Sequence, residues 1–245
     1  MAVTAKAGND ETVPAAATRA ILPLVAGDRL SRVEFERRYH AMPHVKKAEL
    51  IEGVVYMPSP VNHRKHGEPH ARVIRWLGRY ADETPHIEIS DNATVRLDMD
   101  NEPQPDAQML IVPEAGGQTR ISDEGFIEGA PELGVEISAS SASYDLHDKK
   151  HAFRRNGVLE YLVWLTEDRR IVWWRLEGGA YVEIEPGDDG IMKSRAFPGL
   201  WLEPEALLAG EAKRVNSVVD AGIDSAEHAA FCAKLEAVAG KSRRH

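Results

Sequence analysis

The sequence has almost no cysteine: Cys232 is the one thiol in 245 residues. A single cysteine excludes an internal disulfide framework, because each disulfide needs two thiols. It also excludes a zinc module built from several thiolates. Scarce cysteine is typical of proteins in a reducing compartment, so we predict a cytoplasmic location.

Long apolar segments are absent as well. No segment approaches the roughly 20 apolar residues that cross a bilayer, and the N-terminal region lacks the basic and apolar parts of a signal peptide. We therefore expect neither secretion nor a membrane partner. The sequence also lacks an excess of positive charge, since 39 acidic residues outnumber 30 Lys and Arg and give a formal net charge of -9. This balance excludes a protein that coats nucleic acid through a uniformly basic surface.

The sequence patterns predict three regions along the chain. Residues 1–27 are rich in small residues without a sustained period, and we interpret them as a flexible arm. Residues 28–210 mix helical and strand-like segments, which indicates one α/β (α+β) domain with a mixed central β-sheet flanked by helices. Residues 211–245 form a helical tail, whose segment "SAEHAAFCAKLEAVAG" is expected to dock on the domain or on a second subunit.

Several helices have recognisable signals. "SRVEFERRY" places Ser31 three residues before Glu34, which is a capping-box pattern. "HARVIRWLGRYADE" has apolar residues at helical spacing. "SYDLHDKKHAFRRNG" predicts a short helix with Leu146 and Phe153 on one apolar stripe and a stop at Asn156-Gly157.

Two predicted strands each carry an acid opposite their apolar side. In "PELGVEISASS" the alternation puts Glu136 and Ser138 on the side away from the apolar residues, and in "QPDAQMLIV" it does the same for Asp106 and Gln108. If the strands are neighbours, the two carboxylates converge and repel each other unless a cation lies between them. Mg²⁺ or Mn²⁺ is the natural partner of such oxygen ligands. The alternative is a pair of idle acids on a solvent-facing side of the sheet.

Several ordered motifs resemble one protein family. "ELIEGVVYMPSP", "HG", "QPDAQML", "PELGVEIS", "YDLHDKKHAFRRNGVLEYLVW" and "FPGLWLEP" follow one another from Glu49 to about Trp201. This series is similar to the Uma-type putative restriction endonuclease family, of the PD-(D/E)xK nuclease superfamily. The resemblance implies a restriction-endonuclease-like fold and a metal-dependent nuclease site.

The resemblance assigns roles to particular residues. Asp106, after Pro105, matches the first metal-binding acid, and Glu136 matches the second, with the main-chain carbonyl of Ile137 as a further ligand. The superfamily usually has a lysine two residues after the second acid. Here that position is Ser138, which carries no positive charge.

The family pattern has a lysine on the following helix, four residues after an aspartate. Asp145 and Lys149 match this spacing. With Leu146 inward, Lys149 lies about 60° away around the helix axis, next to the buried side. Lys150 flanks the other side of the stripe, so geometry alone leaves both open, and the family spacing favours Lys149. The alternative is a surface pair between Asp145 and Lys149 that only stabilises the helix.

Further residues are candidates for the site or its edge. The resemblance favours Glu49 as another catalytic acid that binds the metal or a water, while Glu52, Gln108, Asp145, Ser138 and His66 are candidates for the site edge. The spacing of His63, His66 and His70 also suggests a zinc site, but we expect Pro69 to interrupt any helix across them. The aromatic residues Phe153 and Tyr161 are expected in the core.

These residues together predict an endonuclease that uses Mg²⁺ or Mn²⁺ to hydrolyse DNA phosphodiester bonds. The expected partners are DNA and a second copy of the chain, because one site cuts one strand. The alternative is a nuclease-fold binding or assembly module without cleavage activity. The sequence has neither a Gly-x-Ser-x-Gly elbow nor a phosphate-binding glycine loop, which disfavours other hydrolase classes.

Overall fold

The computed structural model describes residues 20–57, 60–139 and 141–242. Most of the arm predicted for residues 1–27 therefore lies outside the described residues. The helices are α1 (Arg32–His40), α2 (Glu68–Ala81), α3 (Ala142–Tyr144), α4 (Lys150–Asn156), α5 (Pro204–Ala209), α6 (Ala212–Ile223) and α7 (Ala226–Ser242). The strands are β1 (Glu49–Ile51), β2 (Val54–Tyr56), β3 (Ile87–Asp91), β4 (Val95–Arg96), β5 (Ala107–Ile111), β6 (Arg120–Ile121), β7 (Ile127–Glu128), β8 (Leu133–Ser138), β9 (Glu160–Leu165), β10 (Arg170–Glu177), β11 (Ala180–Glu183), β12 (Met192–Lys193) and β13 (Trp201–Leu202). Two π turns, His63–Gly67 and Asp145–Lys149, directly precede α2 and α4, and a 3₁₀ turn, Pro113–Ala115, follows β5.

A six-stranded sheet forms the centre of the molecule, with the strand order β11-β10-β9-β8-β5-β3. Strands β8 and β9 run parallel, and every other neighbouring pair in this sheet is antiparallel. The prediction of a mixed central sheet is therefore confirmed. The remaining strands form the β1–β2 hairpin, the small sheet β4-β7-β6 and the pair β12–β13.

Both faces of the central sheet are covered by helices. On β9, Leu162 and Trp164 belong to a large apolar core that also contains side chains from α2 and α5 to α7. The alternate residues Tyr161 and Val163 pack on the opposite face with Phe153 of α4. Because neighbouring residues of a strand point to opposite faces, this double coverage explains why β9 is buried along its whole length. The expectation that Phe153 and Tyr161 are core residues is confirmed.

The C-terminal helices pack against the central domain. Val215 and Val219 of α6 and Phe231 and Leu235 of α7 belong to the same core cluster as Trp76 of α2. The helix expected from "SAEHAAFCAKLEAVAG" is α7, and its apolar side docks on this chain's own domain. No helix of the described residues combines the length and apolar character needed to cross a membrane.

The capping box predicted for α1 does not form. Ser31 is the N-cap residue, but its side chain makes no capping hydrogen bond. Glu34 instead accepts hydrogen bonds from Arg37 at 2.7 Å and Arg38 at 2.6 Å. The capping prediction is wrong because two arginines within one helical turn compete for the same carboxylate.

The expected interruption at Pro69 is also wrong. The helical run continues from the π turn into α2, where Pro69 occupies a position in the first turn. A proline is tolerated there because its missing N–H falls where the hydrogen bonds change from the π pattern to the α pattern. The N–H of Glu68 donates to the carbonyl of His63, five residues back, and closes the π turn. His63, His66 and His70 therefore do share one helical run.

Candidate active site

The two strand acids lie opposite each other in the sheet. Ala107 pairs with Val135 in the antiparallel register of β5 and β8, so Asp106 and Glu136 occupy the next opposed positions and share one face. The Ile137 N–H donates to Asp106 Oδ2 at 2.8 Å. Only 3% of Asp106 and 4% of Glu136 are exposed. The alternative of idle acids on a solvent-facing side is therefore wrong.

Lys149 supplies a positive charge to this buried group. Its Nζ donates to Glu136 Oε1 and to Glu49 Oε1, both at 2.7 Å, and the side chain is 1% exposed. The π turn preceding α4 carries Lys149 at its last position, on the face of β8 that presents Glu136. Lys150, the alternative, instead places its Nζ 3.6 Å from the ring centroid of Trp174. Among the described residues no ion pair joins Lys149 to Asp145, so the surface-pair alternative does not hold either.

Ser138 and Asp145 lie beside Lys149. The Ser138 and Ser141 hydroxyls are 3.3 Å apart, and Ser141 Oγ donates to Asp145 Oδ2 at 2.5 Å. Asp145 is 2% exposed, and burial raises the pKa of its carboxyl above the ordinary value. A short hydrogen-bonded chain of side chains therefore occupies the place where the common superfamily pattern has its lysine.

Glu49 joins the cluster from the first residue of β1. Its Oε1 also accepts from the Gln104 N–H at 2.6 Å, and its Oε2 accepts from the Tyr144 hydroxyl at 2.8 Å. The Tyr144 ring stacks on Tyr56 with centroids 4.2 Å apart and lies 5.1 Å from Lys149 Nζ. Tyr144 was not predicted at the site. Hydrogen bonds from Lys149, Gln104 and Tyr144 thus fix the position of this carboxylate.

The charges of the cluster shift its pKa values in opposite directions. Burial opposes ionisation of Glu49, but the charges of Lys149 and Lys47 together with the hydrogen bonds from Lys149 and the Gln104 N–H outweigh it and lower the pKa of Glu49. For Glu136, burial combines with the nearby carboxylates of Asp106 and Asp145 and raises the pKa well above its ordinary value. Burial disfavours the charged form of Lys149, yet Glu136 and Glu49 raise its pKa well above the ordinary value. Lys149 is therefore a cation held by two acids, and the charged form of Glu136 is disfavoured by its burial and by the neighbouring carboxylates.

Asp106 has its own set of cationic and hydrogen-bonding neighbours. Its Oδ1 lies 3.1 Å from His66 Nε2 and 3.4 Å from Lys47 Nζ. Burial alone would raise the pKa of Asp106, but the hydrogen bond with His66 and the charge of Lys47 hold it well below its ordinary value. The ring of His70 contacts the main-chain oxygen of Asp106 at 2.7 Å. His66 is thus placed at the site, whereas Lys47 was not predicted from the sequence.

Two of the predicted edge residues lie away from the cluster. Glu52 occupies the β1–β2 turn with a φ of 51° and pairs with Arg155 at 3.0 Å. The Gln108 amide donates to Ser90 Oγ at 2.7 Å and to the Ala93 carbonyl at 3.2 Å. Neither side chain hydrogen-bonds any of the clustered carboxylates within the described ranges.

The main-chain carbonyl of Ile137 points toward Asp106. Successive carbonyls of a strand point to opposite sides, and the Ser138 carbonyl accepts from Thr166 N on the β9 side at 2.9 Å. The Ile137 carbonyl is therefore directed to the β5 side of β8, where Asp106 lies. This direction agrees with the part that the family resemblance gives to Ile137.

The chemistry of these donors fits a hard divalent cation. Four carboxylates, those of Glu49, Asp106, Glu136 and Asp145, are buried in this part of the molecule, and Lys149 pairs with two of them, Glu136 and Glu49. A cation would favour the charged forms of these carboxylates, and oxygen donors favour Mg²⁺ or Mn²⁺. Within the described parts of the chain no group of three His, Cys, Asp or Glu side chains has metal-binding geometry. Mg²⁺ usually keeps several waters and is often bound through only one or two carboxylates, so the opposed pair Asp106 and Glu136 would be the residues to hold it.

Comparison with known proteins gives the family of this chain. The model of the Uma2 family, described as "Putative restriction endonuclease", matches residues 33–205, which is more than half of the sequence. The chain therefore belongs to this family, and the resemblance found in its motifs is confirmed. Membership supports a nuclease-like function for the chain.

The chain was also compared with curated proteins and with solved structures. No curated protein matches the sequence. Among solved structures, the chain is similar to a putative nuclease belonging to DUF820 from Anabaena variabilis ATCC 29413. The two are 14% identical, the match covers 75% of this chain and 97% of the other, and the TM-score is 0.49.

Proposed function

We propose that the protein is an endonuclease that hydrolyses DNA phosphodiester bonds with Mg²⁺ or Mn²⁺. One observation carries this proposal: Asp106 and Glu136 meet from neighbouring strands, buried and directly opposed, with Lys149 Nζ 2.7 Å from Glu136. Two converging buried carboxylates repel each other, and a divalent ion between them relieves this repulsion. Membership of a family described as "Putative restriction endonuclease" supports the assignment to DNA.

Each residue has a definite part in this proposal. Asp106, Glu136 and the carbonyl of Ile137 would hold the ion, which when bound would lower the pKa of a water and polarise the phosphate. Lys149 offsets the negative charge of Glu136 and Glu49, so the carboxylates keep their positions in a dry site. Glu49 orients Lys149 and is the additional acid of the site. The Ile137 N–H fixes Oδ2 of Asp106, while Oδ1 faces His66 and Lys47.

Cleavage of plasmid DNA in Mg²⁺ or Mn²⁺ tests this proposal, with Asp106→Asn as the decisive variant. Asparagine can still accept the hydrogen bond from Ile137, so the fold is expected to persist while cleavage is abolished. Glu88→Gln is the matched control, because Glu88 is an exposed carboxylate on β3 of the same sheet, and it should cleave like the parent. A parent that cleaves no form of DNA, or an active Asp106→Asn variant, would overturn the proposal.

The enclosure of Lys149 favours a second candidate, a nuclease-fold binding module without cleavage. An ammonium enclosed by two carboxylates is also the arrangement of a structural ion pair. Calorimetric titration with Mn²⁺ separates the two candidates. A scaffold has no reason to bind the ion in a way that depends on both Asp106 and Glu136.

Cleavage of both DNA strands further implies a homodimer, since one site cuts one strand. Sedimentation of the parent with and without duplex DNA tests this part of the proposal. A monomer in both conditions would restrict the enzyme to nicking.

A further inference from the structure

Two lysines contact the clustered carboxylates, and they differ in what they can still bind. The donors of Lys149 are already occupied: two carboxylate oxygens lie at 2.7 Å, and the third side of the ammonium faces the Tyr144 ring. With 1% of its side chain exposed, it has no free direction toward an incoming ligand. Lys149 is therefore unable to contact a substrate phosphate without breaking a buried ion pair.

Lys47 is in the opposite situation. Its Nζ lies 3.4 Å from Asp106 Oδ1 and 3.2 Å from Asn92 Oδ1, and 24% of its side chain is exposed. Both contacts are long for charge-assisted hydrogen bonds, which are usually about 2.7–2.9 Å. A lysine ammonium has three donors, so Lys47 keeps at least one donor for a ligand that arrives from solvent.

The charge of the site favours such a cation. A phosphodiester brings one more negative charge to a region where four carboxylates are buried and Lys149 pairs with only two of them, Glu49 and Glu136. Within the part of the chain that the structure describes, Lys47 and Lys149 are the Lys or Arg residues within 4 Å of these carboxylates. Of the two, Lys47 is the one that solvent reaches.

We propose that Lys47 is the residue that contacts the substrate phosphate, at the edge of the site beside Asp106. This inference rests on the proposed nuclease function and deepens it. In the superfamily pattern a single lysine stands at the position of Ser138. Here two lysines would share the functions of that single lysine. Lys149 holds Glu49 and Glu136 in place, and Lys47 contacts a phosphate of the DNA.

The salt dependence of DNA binding tests this division most sharply. Each phosphate contact that a lysine makes releases counterions, so losing one contact lowers the slope of log affinity against log salt by about 0.9. We expect Lys47→Ala to bind a short fluorescent duplex roughly tenfold more weakly and to show this smaller slope. Lys47→Arg should restore the slope, because arginine keeps the charge.

Lys46→Ala is the matched control. Lys46 is the exposed neighbour in the same segment, and its Nζ reaches only the Pro43 carbonyl at 3.4 Å. This variant removes the same charge from the same loop and should retain the parent's slope. Equal losses in Lys46→Ala and Lys47→Ala would overturn the proposal, since they would indicate only a general effect of net charge.

A measurement of Mn²⁺ binding distinguishes phosphate contact from a purely structural role of Lys47. If Lys47 only kept Asp106 in position, Lys47→Ala would weaken Mn²⁺ binding and leave the salt slope of DNA binding unchanged, which contradicts the proposal. We expect the reverse, because removing a nearby positive charge favours a cation.

The outcome is separable from that of the proposed function. If the parent cleaves DNA but Lys47→Ala keeps the full salt slope, only the proposed role of Lys47 is wrong. If the parent cleaves no DNA, the proposed nuclease function is wrong, and the salt slopes of DNA binding still decide whether Lys47 contacts phosphate.

Discussion

At the scale of single residues, Lys149 explains how a fully buried strand carries Glu136. An isolated carboxylate in the sheet would have a large desolvation cost, and Lys149 offsets it by pairing with both Glu136 and Glu49. Tyr144 and the Gln104 N–H satisfy the remaining lone pairs of Glu49. The cluster is therefore one electrostatic unit rather than a set of separate pairs.

Lys149→Met should destabilise the protein by about 3–5 kcal/mol near pH 8, because two buried carboxylates lose their common partner. In the parent Lys149 lowers the pKa of Glu49, so this acid is ionised at both pH 8 and pH 5. In the variant the charge of Lys149 no longer opposes burial, and only Lys47 and the Gln104 N–H remain to do so. The pKa of Glu49 therefore rises above that of the parent, and its neutral form gains as the pH falls. The free energy of unfolding, measured in urea, should therefore show a smaller penalty at pH 5 than at pH 8.

Lys150→Met provides the comparison for this prediction. Lys150 lies over Trp174, outside the carboxylate cluster, and its loss should cost about 1 kcal/mol or less. Its penalty should also be the same at both pH values. A pH-independent penalty for Lys149→Met would show that Glu49 does not depend on Lys149 for its charge.

The site was predictable from the sequence to the extent that it follows strand alternation and motif spacing. Strand alternation puts Asp106 and Glu136 on the sides of their strands away from the apolar residues. The family spacing of Asp145 and Lys149 favours the lysine that the structure places beside Glu136. Lys47 escaped prediction because it reaches Asp106 from a loop, where no periodicity applies. Glu52 and Glu49 were indistinguishable by local pattern, and only the β1–β2 turn separates them.

At the scale of elements, π turns bring two of the site's side chains into place. His66 lies in the turn that precedes α2, and Lys149 ends the turn that precedes α4. A π turn contains an additional residue compared with an α turn, so it shifts the faces of the residues around it. The sequence prediction assumed a regular α-helix with 100° per residue and placed Lys149 next to the buried side. In the structure Lys149 is among the most buried large side chains.

The close approach of α4 to β8 fixes the height of this helix over the sheet. A Cβ added at Gly134 would lie 2.8 Å from Phe153 Cε2 and 3.3 Å from Cδ2. We expect Gly134→Ala to cost about 1–3 kcal/mol through overpacking, measured by urea denaturation. The double variant Gly134→Ala/Phe153→Leu should lose less than the sum of its single changes, because leucine frees the space that the new methyl group needs.

Gly240→Ala is the control for the glycine series. Gly240 lies in α7, and a methyl group added there would have no neighbouring atom within 4 Å, so alanine should stabilise the helix by up to about 1 kcal/mol. Strictly additive losses in the double variant at 134 and 153 would mean that Phe153 does not set the distance between α4 and the sheet.

At the scale of the whole molecule, one sheet covered on both faces holds the site together. The apolar residues that follow Glu160 in β9 are typical of such burial, whereas β8 alternates apolar residues with Gly134, Glu136 and Ser138. The sequence predicted a helical tail but not the bounds of α6 within it, because Val215, Val218, Val219 and Gly222 are weak helix formers. Packing overrides this preference: a Cβ on Gly222 would lie 2.1 Å from the Gly199 carbonyl oxygen, so α6 depends on close tertiary contact that no local pattern shows.

The proposed metal site depends on the sheet order. Asp106 and Glu136 would be able to share an ion only because β5 and β8 are neighbours. Calorimetric titration of the parent with Mn²⁺ tests this claim most directly. We predict a saturable binding heat that both Asp106→Asn and Glu136→Gln remove and that Glu88→Gln retains. A parent without binding heat, or variants at positions 106 and 136 that bind Mn²⁺ like the parent, would contradict the account.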